Sequence, residues 1–282
     1  MTYLVAAVQF MAKLGRAEEN RAHILEAIGD AARRGAKVVV LPELAVSGYT
    51  LDARVLQASA EEIDGPTLAS WTNAARKYGL VIAGGFCEIF EGKLYNSALL
   101  VGPDGLMLHY RKLHLFDREK LVFTPGDKGL SVVQTPFGRI GVCVCYDLRF
   151  VEVMRALALS GADLVAVPTA WVAGFDKVSR DGDGFIGQAR GAIVQANLNQ
   201  TFVVCASQSH SSGDVRFLGS SLIADPYGVV LGGPAHEEAD VTVLAEIDLS
   251  KVSLAQSRSE LIKPRSDRRT DVYTLTLNER PL

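Results

Sequence analysis

Two hydrophobic periods alternate within the first forty-odd residues, and this alternation constrains the fold more than any other feature. Residues 3–10 set Val5 and Val8 among small and β-branched neighbours, the pattern of a strand. Residues 17–34 then carry Ala22, Leu25, Ile28 and Ala32 at helical spacing, with Gly35 as the expected stop. Lys37-Val-Val-Val-Leu41 reads as a short buried strand that ends in Pro42-Glu43. Strand, helix and strand over so short a span make a β-α-β unit, which requires parallel neighbours and a right-handed crossover. A second helix is expected from Pro66 to Gly79, with Leu68, Trp71, Ala75 and Tyr78 along one face, and a strand follows at 80–86.

The pattern then changes to hairpins. Strands at 94–101 and 106–110 flank Gly102-Pro-Asp-Gly105, and strands at 132–135 and 139–145 flank Pro136-Phe-Gly138. Strands at 218–224 and 229–231 flank Asp225-Pro-Tyr-Gly228, with a further strand at 241–247. Helical crossovers recur near 151–160 and 184–199. Hairpins mixed with crossovers imply an α/β protein with mixed sheets. Two sheets packed face to face with helices outside would hold this many strands in one domain, 1–282. No linker, repeat or low-complexity tract divides the chain.

Composition removes several classes of function. Hydrophobic residues make up 48% and charged residues 22%, so the chain can bury a large core. Lys and Arg number 29 against 32 Asp and Glu, which leaves no basic footprint for nucleic acid or for a membrane surface. There is no apolar run of about 18 residues and no charged secretory leader, so a cytoplasmic protein is expected. The four cysteines are too few and too scattered for a disulfide scaffold. Neither a C-x-x-C pair nor an H-E-x-x-H string occurs and the five histidines are dispersed, so no metal is expected. Phosphate-binding glycine motifs are also absent.

Three places carry chemistry. Cys145 ends the apolar strand 139–145 and precedes Tyr146-Asp147 and a helix starting near Phe150. Strand, sharp turn and helix is the geometry of a nucleophile elbow, and a helix N-terminus favours thiolate over thiol. The plainer reading is a small core hydrophobe, and it is the one adopted for Cys87 and Cys205 inside strands. Cys143, roughly 7 Å back on the same strand face, is also read as packing. Glu43 leaves a buried strand at the sheet edge where α/β sites form, and it is the candidate base; alone it could be a salt-bridged loop residue. Lys112, in Tyr110-Arg-Lys-Leu-His-Leu-Phe-Asp117, sits just past a strand and alone would read as a surface lysine.

Taken in order, these segments resemble the nitrilase superfamily of carbon–nitrogen hydrolases. The resemblance runs from Val5-Ala-Ala-Val-Gln9 through Leu41-Pro-Glu-Leu44, Ser47-Gly-Tyr49, Tyr95-Asn-Ser97 and Phe123-Thr-Pro-Gly-Asp127. It continues through Val144-Cys-Tyr-Asp147 and Pro168-Thr-Ala-Trp171 to Gly219-Ser-Ser-Leu-Ile-Ala-Asp-Pro-Tyr-Gly228. It implies a four-layer αββα sandwich and a Glu-Lys-Cys triad at Glu43, Lys112 and Cys145, with Glu119 as a second, supporting glutamate. It also implies a homodimer or larger homo-oligomer, with the polar tail 265–282 packing on a partner subunit.

The implied chemistry needs no cofactor. Glu43 takes the thiol proton, Cys145 forms a thioester acyl-enzyme, and Lys112 with the Tyr146 backbone N–H holds the oxyanion. Cys145-Tyr-Asp147 is closer to amidases and carbamoylases than to true nitrilases, which usually carry Cys-Trp-Glu there. An amidase acting on a small carboxamide is therefore expected. The alternatives are a nitrilase, an N-carbamoyl amino acid amidohydrolase, an ω-amidase, and a non-catalytic binding or scaffold relative. Arg149 could clamp a substrate carboxylate, or could pair with Asp147 or Glu152. Trp171 and Tyr49 are expected at the pocket, Gln195 and Asn197 are candidates to line it, and the Gly- and charge-rich stretch 173–187 is a candidate lid or partner-contact loop.

Overall fold

The computed structural model describes residues 1–177, 180–277 and 280–282. Val178 and Ser179 of the expected lid, and Asn278 and Glu279 of the expected tail, lie outside the described residues. The first half runs β1 (Thr2–Gln9), α1 (Ala17–Arg33), β2 (Ala36–Val40), α2 (Ala53–Ser59), α3 (Pro66–Tyr78), β3 (Val81–Phe90), β4 (Lys93–Gly102) and β5 (Gly105–Arg111). The second half runs β6 (Val132–Thr135), β7 (Gly138–Val142), α4 (Val151–Leu159), β8 (Leu164–Thr169), α5 (Gly187–Asn199) and β9 (Phe202–Ser207). There follow β10 (Ser211–Ser212), β11 (Val215–Arg216), β12 (Leu222–Ala224), β13 (Val230–Gly232), β14 (Val241–Asp248), α6 (Ser250–Gln256), β15 (Thr276–Leu277) and β16 (Arg280–Pro281).

Two six-stranded sheets form, in the orders β14-β1-β2-β3-β4-β5 and β13-β12-β9-β8-β7-β6. Each has a parallel triplet, β1-β2-β3 in one and β7-β8-β9 in the other, flanked by antiparallel strands. Strand alternation explains the layers. Val38 and Val40 point into the core between the sheets, with Val5, Ala7, Val142 and Ala166. Val39, one residue out of phase, packs outward with Ile24 and Ile28 of α1 and Trp71 of α3. On the opposite side, Val153 and Leu157 of α4 and Ala189 and Ala192 of α5 cover the second sheet. The result is the expected αββα sandwich.

The local differences have physical causes. The buried stripe of α1 runs through Ile24, Ile28 and Ala31, leaving Leu25 and Ala32 at its edge and Ala22 exposed. The expected strand 218–224 keeps a ladder only at Leu222–Ala224, because Gly219 and Ser220 both have positive φ. Strand 139–145 stops at Val142, since Cys145 has φ +47° and leaves the pleat. Helices α2 and α6, and strand β8, were not read from the sequence. The two helices have seven residues each, and β8 is buried along its whole length without alternation.

Candidate active site

The parallel triplets of both sheets end on one side of the sandwich, and the site is built from the loops that leave them. Glu43 follows β2. Its N–H donates to the carbonyl of Thr169 at 3.2 Å, across from the other sheet, and its carbonyl accepts from Gln208 Nε2 at 3.0 Å. The β3 backbone passes so close at Gly85 that a Cβ there would meet Leu44 N at 2.6 Å and Glu43 Cα at 2.7 Å. Only glycine fits, and its close approach fixes where the Glu43 backbone lies.

Lys112 leaves the end of β5. It is anchored by its N–H to the carbonyl of Asn96 at 2.8 Å and by its carbonyl, which accepts from Gly126 N–H at 2.9 Å. Its Nζ lies 2.6 Å from Glu43 Oε1 and 2.8–2.9 Å from the carboxylate oxygens of Glu119. All three side chains are fully buried. Glu119 sits in a short 3₁₀ turn, Asp117–Leu121, and accepts from Phe116 N–H at 2.9 Å and Tyr49 hydroxyl at 2.7 Å. Asn96 Nδ2 donates to Glu43 Oε1 at 2.8 Å. Glu43 Oε2 is buried and has no hydrogen-bond partner among the described residues.

Cys145 opens the 3₁₀ turn Cys145–Arg149 in left-handed backbone. That strained conformation is held by Asp147, whose buried carboxylate accepts from Val144 N–H at 2.9 Å and Tyr110 hydroxyl at 2.7 Å. Asp147 also accepts from His114 N–H at 3.1 Å and lies 2.8 Å from the His114 ring. Cys145 lines a cavity of about 330 Å³, whereas Cys143 is fully buried in the core and does not line it. The strand β7 ends at Val142 and Cys145 turns away with positive φ, so the two thiols do not share a pleated strand face.

The electrostatics of the cluster follow from burial. Desolvation raises the carboxyl pKa of Glu43, the neighbouring Glu119 charge adds to the rise, and Lys112 opposes it. Burial alone would lower Lys112, but the carboxylates of Glu119 and Glu43 outweigh it and hold the ammonium charged. Burial, and then Glu43, push the Cys145 thiol well above its ordinary value, although Lys112 and the Ala170 backbone N–H pull the other way. This corrects the expectation of a helix-stabilised thiolate. The α-helix starts only at Val151, and a helix end acts over about one turn. Burial therefore favours the thiol over the thiolate at rest.

Trp171 and Tyr49 line the cavity and are both nearly buried. The Tyr146 ring lines it too, edge-on to Phe116. Arg149 lines the mouth, but it pairs with neither Asp147 nor Glu152. Its Nη2 lies 3.2 and 3.3 Å from the carboxylate oxygens of Asp176. Gln195 and Asn197 are engaged elsewhere, with Asn199 and with the Tyr227 carbonyl, and α5 presents Gly187, Gln188 and Gly191 to the cavity instead. Asn96, Phe116 and Phe175 were missed. An amide inside the apolar run 94–101 was a usable signal for Asn96; the two phenylalanines lie in loops and gave none. Among the described residues no cluster of three or more His, Cys, Asp or Glu could hold a metal ion, and no helix is long and apolar enough to cross a membrane.

Comparison with known proteins points the same way. A family model described as carbon-nitrogen hydrolase matches residues 4–256. The chain is 36% identical over 247 residues to a protein of Pyrococcus abyssi named "Nitrilase", covering 87% of this chain and 89% of that one. It is 32% identical over 262 residues to an "(R)-stereoselective amidase" of Pseudomonas sp, covering 93% and 90%. It is 33% identical over 289 residues to "Omega-amidase NIT2" of Xenopus tropicalis, covering 97% of each chain. Three differently named relatives at nearly equal identity leave the substrate to be argued from the site.

Proposed function

The chain belongs to the carbon–nitrogen hydrolase family and is a hydrolase of carbon–nitrogen bonds other than peptide bonds; from that premise we propose that it is an amidase, converting a small carboxamide to a carboxylic acid and ammonia through a thioester on Cys145. The observation that carries the reading is the buried Glu43–Lys112–Glu119 cluster, with ammonium-to-carboxylate distances of 2.6–2.9 Å, beside a cavity that Cys145 lines. A carboxyl group whose pKa is raised by burial is a competent proton acceptor, and the unpartnered Oε2 of Glu43 is free to act as one.

The steps balance. Glu43 takes the Sγ proton as Cys145 attacks the amide carbon, and the new C–S bond leaves a tetrahedral oxyanion. Lys112, held charged by its carboxylates, stabilises that oxyanion together with the Tyr146 backbone N–H. The C–N bond breaks as Glu43 returns the proton to nitrogen, and ammonia leaves. Glu43 then takes a proton from water, whose oxygen attacks the thioester. Collapse releases the acid and restores the thiol. Glu119, fixed by Tyr49 and Phe116, positions Lys112. We further propose that residues 1–282 act as one domain and that the tail 265–282 packs on a second copy.

Ammonia release from simple amides, N-carbamoyl amino acids, ω-amides and nitriles tests the reaction class. Simple amides should be turned over. Cys145→Ala should abolish turnover and Cys143→Ala should leave it within about twofold, since the latter thiol only packs. Intact mass should show one acyl group on the Cys145 peptide. Turnover of nitriles with amides inert, or an essential Cys143, would overturn the reading.

A further inference from the structure

We propose that Asp176 is a specificity-determining residue. By occupying the guanidinium of Arg149 at the cavity mouth, it makes the site select amides with uncharged, apolar acyl groups over amides that end in a carboxylate. The inference rests on the amidase reading and deepens it.

The walls of the cavity are mostly apolar, with Phe116, Leu148, Trp171, Val172 and Phe175 contributing side chains. Among its described lining residues Arg149 is the one cation. Lys112 does not take its place, because it is not among the residues that line the cavity and its ammonium faces Glu43 and Glu119. Arg149 is thus the group that could bind a distal carboxylate on the substrate, and Asp176 holds it at 3.2 and 3.3 Å. The neighbouring residue Phe175 lines the cavity and packs edge-on against Phe116, ring centroids 4.6 Å apart, so Asp176 follows directly on the wall and pairs with Arg149 beside it. An incoming carboxylate must either displace Asp176 or sit beside its charge. An uncharged chain meets only the aromatic walls.

The pair is partly exposed, with Arg149 half exposed and Asp176 about a third. Exposed pairs are weak, so the residue sets a bias and not a lock, and its removal should weigh roughly two- to fivefold. The effect acts on binding, so it should fall on KM more than on kcat.

The test uses two amides of equal length, hexanamide and adipamic acid, the second carrying a terminal carboxylate. Wild-type enzyme should favour hexanamide in kcat/KM. Asp176→Ala and Asp176→Asn should each raise kcat/KM for adipamic acid roughly two- to fivefold, through KM, and change hexanamide by less than about twofold. Adding Arg149→Met to Asp176→Ala should remove the gain, and added salt should shrink it. An unchanged substrate ratio in both Asp176 variants, or a wild-type preference for adipamic acid, overturns the inference alone. If wild type turns over neither these amides nor any other, the amidase reading falls and carries this inference with it.

Discussion

At the residue scale the site is a problem in placing charge where water cannot reach. Two carboxylates and one ammonium are fully buried together, and each alone would be driven to its neutral form. Together they keep Lys112 charged while Glu43 rises above an ordinary carboxyl. The groups titrate as a unit, so the pH profile reports the cluster and not one member. Because Glu43 must be ionised to accept the thiol proton, kcat/KM should fall on the acid side at a pH above the ordinary glutamate value of about 4.3. Because the Cys145 thiol is pushed up and Lys112 is held up, no alkaline loss is expected near the ordinary thiol value of about 8.5. Asn96→Leu removes a donor that favours ionised Glu43, and should move the acid limb higher still. An acid limb at or below about 4.3 in wild type would contradict this account of Glu43. Glu43, Lys112 and Cys145 were legible as candidates because each stands in a short string at a strand exit, and Glu119 only through the family resemblance. Asn96 was only part of such a string, and the partner of Arg149 was misread. Asp176 lies 27 residues from Arg149, and no local spacing links the two.

At the scale of elements, the strands that present Lys112 are cross-linked by a second polar cluster. Glu88 of β3 accepts from Ser97 of β4 and pairs with His109 and Arg111 of β5. The Arg111 guanidinium also lies over the Tyr95 ring, 3.8 Å from its centroid, so the end of β5 is held on two sides. Burial would raise Glu88, but its hydrogen bonds to His109, Arg111 and Ser97 outweigh that and bring it down to about 2. A depressed carboxyl contributes stability that is present above its unfolded value and is lost as pH falls through its folded one. The window here runs from the ordinary 4.5 down to about 2. Denaturant midpoints followed through that window should decline in wild type and decline less in Glu88→Gln. At neutral pH that variant should be less stable by roughly 1.5–3 kcal/mol, because it takes a charged acceptor from the buried Arg111, which keeps Asp127 at 3.0 Å. Equal acid slopes in the two proteins would show that Glu88 does not carry the effect. The hairpins and the two long crossover helices of the first half were readable from periodicity and glycine stops. Short α2 and α6, each about two turns, offered too few residues for a period, and the turn at Cys145 depends on Asp147 contacts made by residues far away in sequence.

At the scale of the whole molecule, both sheets repeat one plan, three parallel strands with antiparallel flanks, and the site lies where the two plans meet. That much was visible as alternating periods and the order of the strand-exit strings. What packs beyond the sandwich was not, since the last residues have no clear hydrophobic period. The described part of the tail returns to its own body through Arg265, which donates to the carbonyl of Asn199 at 2.8 Å, while Leu261, Ile262 and Val272 remain exposed. Deleting 265–282 should therefore shift sedimentation from a dimer or larger species towards monomer, with a modest change in melting temperature. A full-length chain that sediments as a monomer at every concentration would remove the proposed partner contact.

The pairing of β1 with β14 joins Thr2 to Asp248 and Gln9 to Val241. During synthesis from the N-terminus, one hydrogen-bonding edge of β1 stays open until residues 241–248 have left the ribosome. By then the polypeptide already carries Glu43, Lys112 and Cys145. The nascent chain thus carries all three before its first sheet has its sixth strand, and a late strand completes the sheet that presents the base.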